Sequence, residues 1–206
     1  YSMPANFYVT SGFVEENGMS WIDQIELCLE CFCPRRLIMP WRELPYELDN
    51  AELEKEFLDD VRLYVKGDKD LDSSKIVSEI YEQCGEKVIS SNDDPLDRKM
   101  SWAQISELAS DSMFTIGGHT HSHAILGHLN SAKMQVEIDT PIEMLKSKAC
   151  IPEVRHFSYP EGFKGSFTEE TIKLMKFRGV ACSPTAIEGV NAHDEDPFHL
   201  RRVFIK

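Results

Sequence analysis

The sequence predicts an α/β fold, a parallel sheet or barrel that carries a mostly helical insertion. Three observations lead there. A strand-like run at residues 5–10 opens the chain. Residues 98–206 alternate short apolar segments with amphipathic ones in a βαβα rhythm, the pattern of parallel strands covered by helices. Between them, residues 19–97 switch to helical spacing interrupted by prolines. The expected organisation is one barrel-like unit from residues 1–18 and 98–206, with 19–97 inserted into it.

Each element has its own reason. The opening run Ala5-Asn6-Phe7-Tyr8-Val9-Thr10 stops at Ser11-Gly12. Because Tyr1-Ser2-Met3-Pro4 leads into it almost at once, the chain is expected to begin inside a domain. In the insertion, residues 21–32 spell a helix whose apolar face is Ile22, Ile25, Leu27, Cys28 and Cys31. Residues 36–48 read as extended, and Pro40 and Pro45 limit them to an edge hairpin. Asp49 with Glu52 suggests a capping box for a helix carrying Leu53, Phe57, Val61 and Val65 every four residues. Ser73 or Ser74 opens another helix, with Ile76, Val77, Ile80 and Tyr81 on one side. Ser90-Ser91-Asn92-Asp93-Asp94-Pro95 is a polar loop.

Beyond it, Ser101 and Gln104 box a helix to Leu108, followed by a strand at 113–116. A helix at 131–147 is expected to kink near Pro141. Residues 154–159 read as extended, Thr168 caps a helix that stops at Gly179, and 180–183 and 200–205 read as the last strands.

Composition narrows the function. The 206 residues suit one sizeable domain or a domain with an insertion. A net charge of −13 argues against nucleic acid, anionic membrane surfaces and polyanionic glycans, and favours a neutral or cationic substrate. No apolar run approaches the roughly 20 residues of a membrane span. Of the six cysteines, Cys28, Cys31 and Cys33 lie close together, but no second pair completes a zinc ribbon. They read as small buried hydrophobes of a helix. Reduced thiols and a cytosolic setting fit better than a disulfide framework.

The chemistry concentrates in Phe114-Thr115-Ile116-Gly117-Gly118-His119-Thr120-His121-Ser122-His123. An apolar strand runs into a glycine-loosened turn with two imidazoles, His119 and His123, four residues apart. Strand ends that open into such turns are where parallel α/β folds keep reactive groups. Two converging imidazoles supply two of the three protein ligands of a catalytic zinc-type site, and the third is usually a carboxylate. His121 alternates away from this pair, and His128 sits just ahead of a helix cap.

Gly118-His119-Thr120-His121-Ser122-His123 resembles the His-(Ser/Thr)-x-x-His motif of NodB-like polysaccharide deacetylases. Further matching pieces fall in the family's order: Tyr1-Ser2-Met3-Pro4-Ala5-Asn6-Phe7-Tyr8-Val9, Met100-Ser101-Trp102-Ala103-Gln104-Ile105, Phe157-Ser158-Tyr159-Pro160-Glu161-Gly162, Gly189-Val190-Asn191, and Asp196-Pro197-Phe198-His199-Leu200-Arg201-Arg202-Val203. The resemblance implies a distorted (β/α) barrel of the polysaccharide deacetylase type, here N-terminally truncated and missing its first strand. It implies a divalent metal on His119 and His123, zinc with cobalt or nickel as alternatives. The implied reaction is removal of acetyl from N-acetylated sugars or polysaccharide. Tyr159, Pro160, Glu161 and Gly162 would contact substrate, with the Glu161 backbone N–H stabilising the oxyanion. His199, or His193, would protonate the departing amine.

The sequence departs from the family in three places. The family's Asp-Asp pair, which supplies the base and the third ligand, lies upstream of the segment matching Tyr1; Asp23, Asp59-Asp60 and Asp93-Asp94 lack its strand context. Ser158 and Glu161 stand where Arg and Tyr are usual. No clean motif carries the late His. The 206 residues alone are therefore expected to be inactive. Two rival readings are a non-catalytic glycan-binding module on the same fold and a metal-binding structural protein.

Overall fold

The computed structural model describes residues 2–68, 71–91, 95 and 98–205. It divides into two compact units, one of residues 1–17 with 99–206 and the other of residues 18–98.

The first unit is organised by parallel pairing. Strand β1 (Ala5–Val9) lies beside a later strand, Phe114–Gly118, in parallel register from Ala5 opposite Phe114 to Val9 opposite Gly118. Parallel single bridges then join Gly118 to Phe157 and His156 to Cys182. Four chain segments thus run side by side, and all but the first pair meet at isolated points. The strands expected at 154–159, 180–183 and 200–205 are accordingly corrected to bridges, the last being Arg202 with Glu188. Pro184 and Pro197 contribute no N–H to a ladder. The backbone bonds of this region instead leave at scattered positions, Ser183 N–H to Pro197 O and Thr185 N–H to Leu200 O.

Gly117 and Gly118 do not loosen a turn, as the sequence suggested; they complete the strand. A Cβ on Gly117 would stand 2.6 Å from the His156 carbonyl oxygen, and one on Gly118 would stand 2.6 Å from the Phe157 ring. Only glycine permits the neighbouring segment to approach this closely.

A short helix the sequence did not reveal, α1 (Ser11–Glu16), follows β1 directly. Its second residue is Gly12, where a Cβ would lie 2.6 Å from the His121 carbonyl oxygen. Its end is tied down where Glu15 accepts hydrogen bonds from Lys148 and Trp102.

In the second unit, α2 (Trp21–Phe32) starts in a capping box made by Ser20 and Asp23. Two short strands, β2 (Arg36–Leu37) and β3 (Tyr46–Glu47), pair antiparallel. Helices α3 (Ala51–Gly67) and α4 (Ser73–Gln83) complete it. Their caps are Asn50 and Asp72, not Asp49 and Ser73 or Ser74: Asn50 Oδ1 takes the N–H groups of Glu52 and Leu53, and Asp72 takes that of Ser74. Ile25, Cys28, Phe57, Val61, Ile80 and Tyr81 form the core. Of the clustered cysteines only Cys28 is buried; Cys31 and Cys33 are exposed, because the helix turns them outward and then ends.

The remaining elements return to the first unit: α5 (Trp102–Ser110), strand β4 (Phe114–Gly118), a single 3-10 turn (Leu126–His128), α6 (Ser131–Lys148) and α7 (Glu169–Phe177). Ser101 with Gln104 and Thr168 with Thr171 form capping boxes. Helix α6 continues through buried Pro141. Ile105, Ile116, Ile138, Leu145, Phe157 and Met175 join these helices to the parallel segments in one core. Among the described residues, no helix is long and apolar enough to cross a membrane.

Candidate active site

His119 is the first residue after β4, and its position is fixed from both sides. Its N–H bonds the Val9 carbonyl at 2.9 Å, and its carbonyl accepts from the Thr10 hydroxyl at 3.1 Å. Next in line, Ser11 N–H reaches Thr120 O and Gly12 N–H reaches His121 O. The turn is thereby stitched along the β1–α1 corner. Thr120 and His123 both take left-handed backbone conformations, with φ of 62° and 63°.

The turn brings His119 and His123 together, their ring centroids 4.9 Å apart at 68°. Phe13 stacks beside the His123 ring at 6.5 Å. Nδ1 of His119 is 2.8 Å from the Ser158 carbonyl oxygen, which can only accept, so Nδ1 carries the hydrogen. That bond leaves Nε2 with its lone pair, the tautomer a metal ligand needs. Burial, and then the neighbouring His123, hold the His119 pKa down at about 4, so the ring is neutral at pH 7. His121 turns away: its Nδ1 lies 2.9 Å from Ser11 Oγ. His128 ends the 3-10 turn before α6.

The donor chemistry of this pair fits a divalent cation with two nitrogen ligands. Among the described residues, however, no group of three His, Cys, Asp or Glu is gathered closely enough to hold a metal. The sequence-derived carboxylates are engaged elsewhere. Asp23 caps α2, Asp59 pairs with Arg62, and Asp60 accepts from the Tyr46 hydroxyl. Asp93 and Asp94 lie outside the described residues, as does Tyr1.

The 159–162 segment follows the bridge next to β4. Tyr159 is 1% exposed, its ring stacked on Phe167 at 3.9 Å and its hydroxyl bonded to Phe198 O. Its side chain belongs to the core. Pro160 and Gly162 are buried as well, leaving Glu161 partly exposed, with φ of 62°. Gly162 N–H closes a tight turn onto Pro160 O at 2.7 Å. His199 Nδ1 lies 3.1 Å from Asp196 Oδ2, and its ring is 5.8 Å from Phe167. The Phe198 N–H holds the Asp196 carboxyl below its usual range, and His199 adds to this. His193 is exposed.

A family model described as polysaccharide deacetylase matches residues 1–182. The chain belongs to the polysaccharide deacetylase family. Among solved structures, this family member is similar to the Streptococcus pyogenes deacetylase PplD in complex with acetate, at 17% identity and a TM-score of 0.45, covering 52% of this chain and 46% of that one. It is similar to IcaB from Ammonifex degensii at 22% identity and a TM-score of 0.43, covering 52% and 49%. The BpsB deacetylase domain from Bordetella bronchiseptica aligns at 18% identity and a TM-score of 0.46, covering 56% and 51%. The chain thus spans about half the length of these structures. No curated protein matches it.

One residue bonded to the His turn left no trace in the sequence pattern. Glu137, on α6, accepts the N–H groups of His121 and Ser122, both at 2.9 Å, and the Ser122 hydroxyl at 2.7 Å. A glutamate in a surface helix carries no local signal that it reaches a turn 16 residues away.

Proposed function

We propose that this chain contributes the imidazole pair of a metal-dependent hydrolase that removes acetyl groups from N-acetylated sugars or polysaccharide. The observation that carries this is the His119 Nδ1–H bond to Ser158 O at 2.8 Å, with His123 alongside, in a polysaccharide deacetylase family member. His119 and His123 would hold the cation, zinc, with cobalt or nickel as alternatives. When bound, it would supply Lewis-acid polarisation of the amide carbonyl and a water of lowered pKa.

The chain's own groups do the rest. Partly buried and neutral, His119 keeps its Nε2 lone pair available at pH 7. The Glu161 backbone N–H, at a left-handed corner beside the pair, is the proposed donor to the tetrahedral oxyanion. His199 is the proposed general acid: Asp196 accepts its Nδ1–H, and its Nε2–H would be the proton given to the departing amine. In this reading the base and the third ligand come from paired aspartates outside the 206 residues. The side-by-side parallel segments support a distorted (β/α) barrel, and residues 19–97 would be a mostly helical insertion in it.

Acetate release from N-acetylated sugar oligomers tests the reading. The 206-residue chain should release none. Adding an upstream strand with the aspartate pair should bring metal-dependent release, lost again in His119→Ala. Sugar binding by the extended protein without acetate release in zinc, cobalt or nickel would favour a glycan-binding module instead.

A further inference from the structure

We propose that Glu137 is a positioning residue that holds the two imidazoles convergent; this rests on the metal reading of His119 and His123. Its Oε2 accepts from two successive backbone N–H groups, His121 and Ser122, and its Oε1 from the Ser122 hydroxyl. Successive N–H groups aimed at one point form a nest that favours an anion. Here the anion is a side chain of the protein itself, delivered by α6. Both of its oxygens bond this turn, so Glu137 acts on the imidazoles through the backbone.

The clamp sits at the centre of the turn's strain. Residues 121 and 122 lie between two non-glycine residues in left-handed conformation, Thr120 and His123. Such conformations persist only where surrounding contacts over-determine them. The β1–α1 corner holds the first half of the turn, through Thr10, Ser11 and Gly12. Glu137 supplies the hold on the second half, the half that sets the direction of His123. Releasing it removes the hold on the His121 and Ser122 N–H groups, and the left-handed His123 then departs from its place 4.9 Å from His119.

The test uses the 206-residue chain with cobalt(II) as probe, read by calorimetry, and metal-free protein read by NMR. Glu137→Ala should weaken cobalt binding at least tenfold. Glu137→Gln should stay within about threefold of wild type, because its amide oxygen can accept both N–H groups and its NH2 can donate to Ser122 Oγ. Asp139→Asn, on the same helix but ion-paired with Arg178, should leave affinity unchanged although it costs stability. In metal-free protein, Glu137→Ala should speed amide exchange at His121 and Ser122 and broaden the His123 ring signals. Cobalt binding by folded Glu137→Ala equal to wild type overturns the proposal, as does an equal loss in Asp139→Asn. Should Glu137→Ala not fold, Ser122→Ala must still weaken binding, and unchanged affinity there overturns it. Cobalt affinity unaffected by His119→Ala sinks the metal reading instead, while the metal-free signals still report the clamp.

Discussion

Arg178 grips Asp139 with two parallel bonds, Nε to Oδ1 and a terminal nitrogen to Oδ2, both at 2.6 Å. The pair joins the middle of α6 to the residue that caps the end of α7. Both side chains are about a quarter exposed, so the pair lies between a surface bridge and a buried one. Asp139→Asn should therefore cost on the order of 1–2 kcal/mol, between the values typical of those extremes. The Arg178 hydrogen bonds hold the Asp139 carboxyl below its ordinary value of 3.8. Its stabilisation is complete above that value and disappears as pH falls through the lower, folded one. Urea midpoints at pH 7 and at successively lower pH for wild type and Asp139→Asn check this; the gap between the two proteins should narrow as the pH falls below 3.8.

His119 titrates in the same direction for a different reason. Folded, its pKa is about 4 against the ordinary 6.5, because burial disfavours the cation. Unfolded chains therefore take up a proton first, and stability is full above about pH 6.5 and declines as pH falls toward 4. The loss is of the order of 3 kcal/mol. In metal-free protein the His119 ring proton shift should move near pH 4, and a midpoint near 6.5 would contradict the partly buried, neutral ring.

Gly117→Ala and Gly118→Ala should each destabilise by about 1–3 kcal/mol through overpacking. Gly117→Ala should be the worse of the two. Its Cβ meets a backbone carbonyl, whereas at Gly118 the Phe157 ring can rotate aside. Chemical denaturation of both variants ranks them; equal stability to wild type would refute the close approach.

Thiol reactivity reports the second unit. Cys28 is buried with its sulfur 3.6 Å from that of Cys84, and burial pushes its thiol up to about 12. Cys31 and Cys33 are exposed. Iodoacetamide at pH 8, read by mass spectrometry, should label Cys31 and Cys33 well before Cys28.

The sequence carried the helices and the His pair because both are local signals. Spacing alone marked Phe57 and Val61, or Ile76 and Ile80, and Ser101 with Gln104 announced its own cap. Short-range competition misled the other caps: Asn50 outbid Asp49 because its side chain reaches two N–H groups at once. Long-range approach was illegible. Nothing near Gly117 says that His156 passes within a methyl's width, and nothing near Tyr159 says that Phe167 covers it. The strand-like tail at 200–205 failed for the same reason, since pairing partners are a property of the fold.

The stitching of the His turn to Val9, Thr10, Ser11 and Gly12 makes it part of the unit's cooperative framework. A cation that settles on His119 and His123 is then felt by the whole unit. Free cation at about ten times its Kd would add about 1.4 kcal/mol to the folded state. Ligand binding at two side chains thus becomes readable as a rise in melting temperature, with no substrate in the tube.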